Sequence, residues 1–437
     1  MRSGRCLLLI GVVVVSSCSA TGAQPKSAPA GAAIVVDQDG AHLGWLTSRA
    51  DSGGDWVGLV RRDLAGPTAT DLDLDRGGLT VRTTIGGSEQ AALRAALDAV
   101  PSTNGRFEVA AVAIDVASGG VVAVADSSAQ AELSSIRRPT GSAFKFVIAA
   151  AAVDAGAISN DVLDGGHRCG IPDGRSTVAF SGKPQYSLAP LSTLTAFSVN
   201  CAFAKLYEII GGQTVLHLAS ALGLTGAVVD SPTLATGAAQ ETPIEMAGAM
   251  RVVLGDGRYT PPFIIDTVTA ADGRVLFQHR ADNVDVLSAD VSHRTADLLT
   301  NVVRVGTARD AALAADRPSA GKTGTQEGNT DAWMVGGTPQ FSVAVWMGDP
   351  ARANDGMVDV AEFDKVTLVQ GGTLPAQVWK RFLDAALVGV PPLSWPEPAQ
   401  SRAPLHLILP AIECSDDALV SSIGLSAVPE TAAVSDC

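Results

Sequence analysis

The chain has 437 residues, enough for two or three domains by the usual size of about 150 residues each, and a net charge of −14. That acidity argues against nucleic acid as a main partner, because phosphate binding needs a basic face. With 46% apolar and 17% charged residues the composition suits a folded core, not a disordered chain, and the abundant glycines keep no triplet period, which excludes collagen.

The chain starts as an export leader. Arg2 and Arg5 precede the apolar run Leu7–Val15, which is too short for the ~20 residues of a membrane span. Val15-Ser16-Ser17-Cys18 follows and resembles a bacterial lipobox, in which the cysteine is lipidated and becomes the mature N-terminus. The expectation is a signal over 1–17, Cys18 as a lipid anchor to a membrane surface, and a small-residue tether over 18–33. The other reading is an ordinary signal cut at Ala20 or Ala23. Beyond the leader stand Cys169, Cys201, Cys414 and Cys437, an even set that suggests disulfides in an exported chain. The expected pairing is Cys169 with Cys201 and Cys414 with Cys437; free buried thiols are the alternative. The histidines are scattered and no His-Glu-x-x-His is present, so neither a metal nor a cofactor is expected.

Residues 34–80 hold short strand-like runs, Ala33-Ile34-Val35-Val36 and Trp56-Val57-Gly58-Leu59-Val60, and read as a small N-terminal module. A helix follows, capped by Ser88, with Leu93, Ala96, Leu97 and Val100 on one face and Pro101 at its end. Phe107–Asp126 reads as a hairpin turning at Ala117-Ser118-Gly119-Gly120. Phe144–Val153 is apolar all round and predicts a buried helix closed by Gly156. Residues 190–255 read as mostly helical, and Asp331–Gly336 and Phe341–Met347 as paired strands around Thr338-Pro339-Gln340. A Pro-rich stretch opens a tail over 389–437. Strands on both sides of a helical block predict one α+β or mixed α/β unit with a helical subdomain.

Three short motifs could carry chemistry. In Ser142-Ala143-Phe144-Lys145 the hydroxyl and amine stand at i and i+3 on a buried helix start, and desolvation would make the lysine a neutral base for the serine. In Ser198-Val199-Asn200 a hydroxyl and an amide sit in a helical break and can face one cleft. Lys322-Thr323-Gly324-Thr325 offers an amine and two hydroxyls to a carboxylate, on an edge strand that can pair with an extended peptide. Each alone has an ordinary reading, a helix cap or a snorkelling lysine. A phosphate loop ending in Gly321-Lys322-Thr323 is excluded, because position 316 is Asp316 where that loop needs glycine.

Taken in order, the three motifs resemble the Ser-x-x-Lys, Ser-x-Asn and Lys-Thr-Gly set of the penicillin-binding transpeptidases. Gly77–Ile85 resembles the approach to that domain in the class A enzymes, and Thr330–Trp333, Gly337–Gln340 and Ala344–Gly348 resemble its last strands. The resemblance spans roughly residues 77–388, with the domain itself placed at 81–388. It implies an antiparallel sheet flanked by helices with a helical subdomain, the β-lactamase/transpeptidase-like fold. It also implies a D,D-transpeptidase acting on peptidoglycan stem peptides, or a D,D-carboxypeptidase, inhibited covalently by β-lactams. In that scheme Ser142 is the nucleophile, Lys145 its base, Ser198 a proton relay and Asn200 a substrate holder. Lys322, Thr323, Gly324 and Thr325 bind the terminal carboxylate, and the Ser142 and Thr325 N–H groups form the oxyanion hole. Two positions depart from the family pattern: Thr140 and Phe146 stand where proline is usual. The stretch before Gly77 leaves no room for a glycosyltransferase domain, so crosslinking without glycan polymerisation is expected. A non-catalytic sensor and a β-lactamase are the competing readings. The latter is disfavoured because no Glu-x-x-Leu-Asn stretch is present and Ser-x-Asn stands where the class D enzymes have Ser-x-Val.

Overall fold

The computed structural model describes residues 28–65, 73–74, 77–100, 107–127, 133–166, 168–227, 229–326, 330–348 and 369–396. The leader, Cys18, most of the tether, Pro101, Cys414, Cys437 and most of the tail lie outside the described residues. In chain order the principal elements are β1 (Ala33–Val36), β2 (His42–Leu46), β3 (Asp51–Ser52), α1 (Val57–Leu64), β4 (Thr80–Thr83), α2 (Gly87–Asp98), β5 (Glu108–Asp115) and β6 (Val121–Asp126). There follow α3 (Lys145–Asp154), β7 (Cys169–Asp173), β8 (Ser176–Phe180), α4 (Leu191–Ala196), α5 (Asn200–Ile210), α6 (Gly212–Ala221) and α7 (Pro243–Leu254). Next come β9 (Ile265–Thr269), β10 (Val275–Gln278), α8 (Ala289–Arg304), β11 (Ala320–Thr325), β12 (Asp331–Gly337), β13 (Phe341–Gly348) and α9 (Leu374–Ala386).

The central sheet is antiparallel, in the order β11-β12-β13-β5-β6. Strands β5, β6 and β13 are rich in Val and Ala and almost wholly buried, because both faces are covered. The helices α2 and α9 pack on it from one side; α7 and α8 also pack on its strands, and α3 packs against α8. The expected hairpin is β5–β6, and its turn is held by Asp115, whose carboxylate accepts the Ser118 N–H at 2.7 Å. The buried helix is α3, and it ends as expected: Gly156 has φ +102°, and its N–H donates to the Val153 carbonyl at 3.0 Å. The helices α3 to α6 form the helical subdomain beside the sheet.

Three expectations change. The segment 34–80 does not close a module on its own. Its sheet runs β10-β9-β4-β1-β2-β3, so two strands arrive from residues 265–278, and the boundary placed at 80/81 cuts through β4. The physical reason is that β4 lies between β1 and β9 and needs both to satisfy its backbone. The Val57–Val60 run is helical, not extended: α1 buries Gly58, Leu59 and Val60 and turns Arg61 and Arg62 outward. Four apolar residues fit either period, and the amphipathic continuation decides. Finally, Ser88 does not cap α2. Gly86 is the cap, its N–H bonded to the Val122 carbonyl at 3.0 Å, and the Ser88 hydroxyl donates to Glu89 within the first turn.

Candidate active site

Ser142 sits in a single tight turn, Gly141–Phe144, that runs directly into α3. The turn is held against β11 by close backbone approach. A Cβ on Gly324 would stand 2.4 Å from the Thr140 carbonyl oxygen, and one on Gly141 would stand 2.9 Å from Thr325 N. Gly141 also has φ +52°, a conformation that costs any other residue. The Lys-Thr-Gly strand is thus laid across the Ser142 turn, and β11 is an edge strand of the sheet. Thr140 and Phe146, the two departures from the family pattern, are fully buried. The Thr140 hydroxyl donates to the Ala239 carbonyl at 3.1 Å, so it braces the turn from behind.

Lys145 begins α3 and is 0% exposed. Its Nζ lies 2.9 Å from Ser142 Oγ, 3.0 Å from the Ser198 carbonyl oxygen and 3.3 Å from Ser198 Oγ, and it also bonds Asn200 Oδ1. Burial pushes this amine well below the usual lysine range, and the charges of Lys322 and Lys183 push it the same way. The Ser198 carbonyl and Asn200 Oδ1 can only accept, so they take two of its N–H groups; once the amine is neutral, its lone pair can face the Ser142 hydroxyl. Asn200 is oriented by its own amide, which donates to Ser181 Oγ at 3.2 Å.

Ser198 lies between α4 and α5 with φ +55°, a left-handed position occupied by a non-glycine residue. Its hydroxyl bridges two amines: Lys322 Nζ donates to it at 2.8 Å, opposite Lys145. Lys322, also 0% exposed, donates to the Thr323 carbonyl at 2.9 Å. Burial, then the Lys183 charge, lowers its pKa to about 7. Thr323 Oγ1 pairs with Thr307 Oγ1 at 2.6 Å, and Thr325 Oγ1 accepts the Gly371 N–H at 3.2 Å. Cys169 and Cys201 are joined by a disulfide, which ties β7 to the first turn of α5 next to Asn200. All eight residues expected to carry chemistry therefore meet in one cleft between β11, the α3 start and the α4–α5 break. Sequence reasoning missed Ser181, Lys183, Thr307 and Gly371. Each lies in an unremarkable polar loop, and only the chain's return to the cleft gives it a partner.

Residues 109–367 match the penicillin binding protein transpeptidase domain, and the chain belongs to that family. It is 30% identical over 383 residues to Penicillin-binding protein 1A of Mycolicibacterium smegmatis, covering 78% of this chain and 46% of that protein. It is 34% identical over 165 residues to Penicillin-binding protein 1A of Mycobacterium tuberculosis, covering 36% of this chain and 19% of that protein. The chain thus spans less than half the length of these relatives. Among solved structures, the penicillin-binding protein PonA1 from Mycobacterium tuberculosis superposes with a TM-score of 0.70 at 24% identity, covering 82% of this chain and 97% of that one. The D,D-transpeptidase domain of a peptidoglycan glycosyltransferase from Eggerthella lenta gives 0.62 at 21% identity, covering 83% and 99%. The antiparallel sheet, flanking helices and helical subdomain are the fold these structures share.

Proposed function

We propose that the chain is a serine D,D-transpeptidase acting on peptidoglycan stem peptides, with D,D-carboxypeptidation as the same chemistry when water replaces the acceptor. The observation that carries this reading is the fully buried Lys145 amine, whose Nζ stands 2.9 Å from Ser142 Oγ and whose pKa burial lowers. Lys145 takes the hydroxyl proton as Ser142 Oγ bonds the penultimate D-alanine carbonyl carbon. The oxygen that becomes negative sits at the Ser142 and Thr325 N–H groups. As the C–N bond to the terminal D-alanine breaks, the proton passes from Lys145 through Ser198, bonded to both lysines, to the leaving amine. An acceptor amine then attacks the ester, its proton returns to Ser142 Oγ, and the crosslink is released. Asn200 holds the substrate amide. The protonated Lys322, with the Thr323 and Thr325 hydroxyls and Gly324 giving backbone access, holds the terminal carboxylate.

A β-lactam enters the same path and acylates Ser142. Among the described residues the hydrogen-bond partners of Lys145, Ser198, Asn200 and Lys322 are hydroxyls, carbonyls, amides and one another, with no carboxylate. Stable labelling by a fluorescent penicillin is expected, and rapid nitrocefin turnover would favour the β-lactamase reading instead. The decisive experiment is mass spectrometry of a penicillin-treated digest, together with a stem pentapeptide incubated with and without acceptor amine. An adduct on any peptide other than the one carrying Ser142 sinks the assignment.

The peptidoglycan substrate, the disulfide and the leader support an extracytoplasmic location, and we propose Cys18 as its lipid anchor. No helix of the described residues is long and apolar enough to cross a membrane. Unchanged fatty-acid labelling of Cys18→Ala would remove the anchor.

A further inference from the structure

Lys183 belongs to none of the three motifs, yet its side chain reaches the cleft. It lies in the segment that leaves β8, half-buried, and its Nζ donates to the Phe197 carbonyl at 2.7 Å. Phe197 closes α4, so this carbonyl is among the acceptors a helix end leaves without an intrahelical partner. The next carbonyl along the chain, that of Ser198, is taken by Lys145 Nζ at 3.0 Å. Two lysines from two different elements therefore hold the two consecutive carbonyls that flank the left-handed Ser198 position.

The rest of the segment grips the same turn. The Ser181 carbonyl accepts the Cys201 N–H at 3.2 Å, and Ser181 Oγ accepts from Asn200. The Tyr186 ring stacks on the Phe197 ring with centroids 5.0 Å apart. Lys183 is itself fixed through its backbone: its N–H donates to the Gly165 carbonyl at 2.9 Å, and its carbonyl accepts the Tyr186 N–H at 2.8 Å. A lysine held this way at a half-buried place carries a desolvation cost that a solvent-facing loop lysine avoids.

We propose that Lys183 is a positioning residue for Ser142 acylation: it fixes the Ser198 turn through the Phe197 carbonyl and brings its own positive charge toward the two site amines. This rests on the reading of Ser142 as nucleophile and Lys145 as base. The charge works in a definite direction. A neighbouring ammonium disfavours protonated Lys145 and so keeps the basic form at lower pH, and the Lys183 charge lowers both Lys145 and Lys322. Among the described residues the charges that act on Lys145 are Lys322 on β11 and Lys183 on this segment; α5 also carries Glu208 and Lys205, the latter paired with Asp164 at 2.6 Å. Burial lowers Lys183 as well, so its influence is strongest on the acid side of the profile.

The test is the pH profile of penicillin acylation, measured on the full chain as the second-order labelling rate. That rate rises with pH as Lys145 loses its proton. In Lys183→Met and Lys183→Gln the acid limb should move to higher pH, on the order of one unit, with a rate loss of roughly tenfold on that limb. In Lys183→Arg, which keeps the charge, the limb should stay at the wild-type position even if the maximal rate falls. A uniform drop at every pH with an unmoved limb in Met and Gln, or an unchanged rate, overturns the proposal. So does a limb that moves equally in Arg. Thermal melting of each variant identifies any that is unfolded, and the remaining variants then decide. Failure of the underlying reading is separate: wild-type protein would then carry no adduct on Ser142 at any pH.

Discussion

The two walls of the cleft are built in opposite ways. On one wall, Ser142 and Lys145 share a single turn, three residues apart, at the start of a helix that is buried on every side. On the other, Ser198 and Asn200 occupy a break between two helices, in a backbone conformation that is not intrinsically favoured. That wall is held by distant pieces: the Cys169–Cys201 disulfide, Ser181, Lys183 and Tyr186. The first wall places its chemistry by local geometry and packing. The second needs tethers, because a left-handed serine persists only where the surroundings over-determine it. The lesson is that loss on the first wall should remove chemistry with the fold intact, whereas loss on the second should loosen geometry by degrees.

The largest effect expected is at Ser142, the proposed nucleophile. Ser142→Ala should abolish penicillin labelling while shifting stability by no more than about 1 kcal/mol, the scale of a small hydroxyl at a helix start. A melting curve beside the labelling gel checks both halves, and residual labelling would break the contrast between the walls. Lys145→Ala comes next. Ser142 remains, but acylation should slow by roughly 10²–10⁴-fold, as for a lost general base, read from single-turnover labelling. Some loss of stability from the missing buried stem is expected as well.

Gly324→Ala tests how closely β11 and the Ser142 turn meet. Its Cβ would press on the Thr140 carbonyl oxygen, a backbone atom that cannot swing away, so β11 must shift over the Ser142 turn. The acylation rate should fall by about 10²-fold, the cost of a displacement near 1 Å at a reacting centre. An unaltered rate would mean that the strand is not fixed there.

Smaller again is the effect of cutting a tether. Cys201→Ala should lower stability by about 2–4 kcal/mol, within the range of a disulfide closing a loop of this size, yet slow acylation less than Lys145→Ala does. Chemical denaturation and labelling on the same sample would sharpen the comparison. The last prediction concerns pH. Acylation should rise with pH as Lys145 deprotonates. Capture of a stem-peptide carboxylate in the free protein should weaken above about pH 7, as Lys322 loses its proton. The stem-peptide rate is then a bell, and separate fits of rate and KM against pH resolve its two limbs.

Much of this molecule was legible in one dimension. The i, i+3 pair Ser142 and Lys145 needs only a helix, and the helix is written in the apolar run after it. The hairpin β5–β6 and the strands β12 and β13 are apolar runs with turn residues between them. The even cysteine count left three pairings open, and the expected Cys169–Cys201 link is present. Such features depend on residues near one another in the chain, where periodicity and spacing carry the information. What tertiary structure alone decided depends on chain return. Thr80–Thr83 joins a sheet completed from residues 265–278, Val57–Val60 becomes helical because its buried face finds a core, and a lysine before a proline becomes a clamp on the Ser198 turn. The basicity of Lys145 is of this second kind. The motif supplies the amine, but only complete burial with Lys322 and Lys183 brought alongside lowers its pKa, and that environment is assembled from elements far apart in the chain.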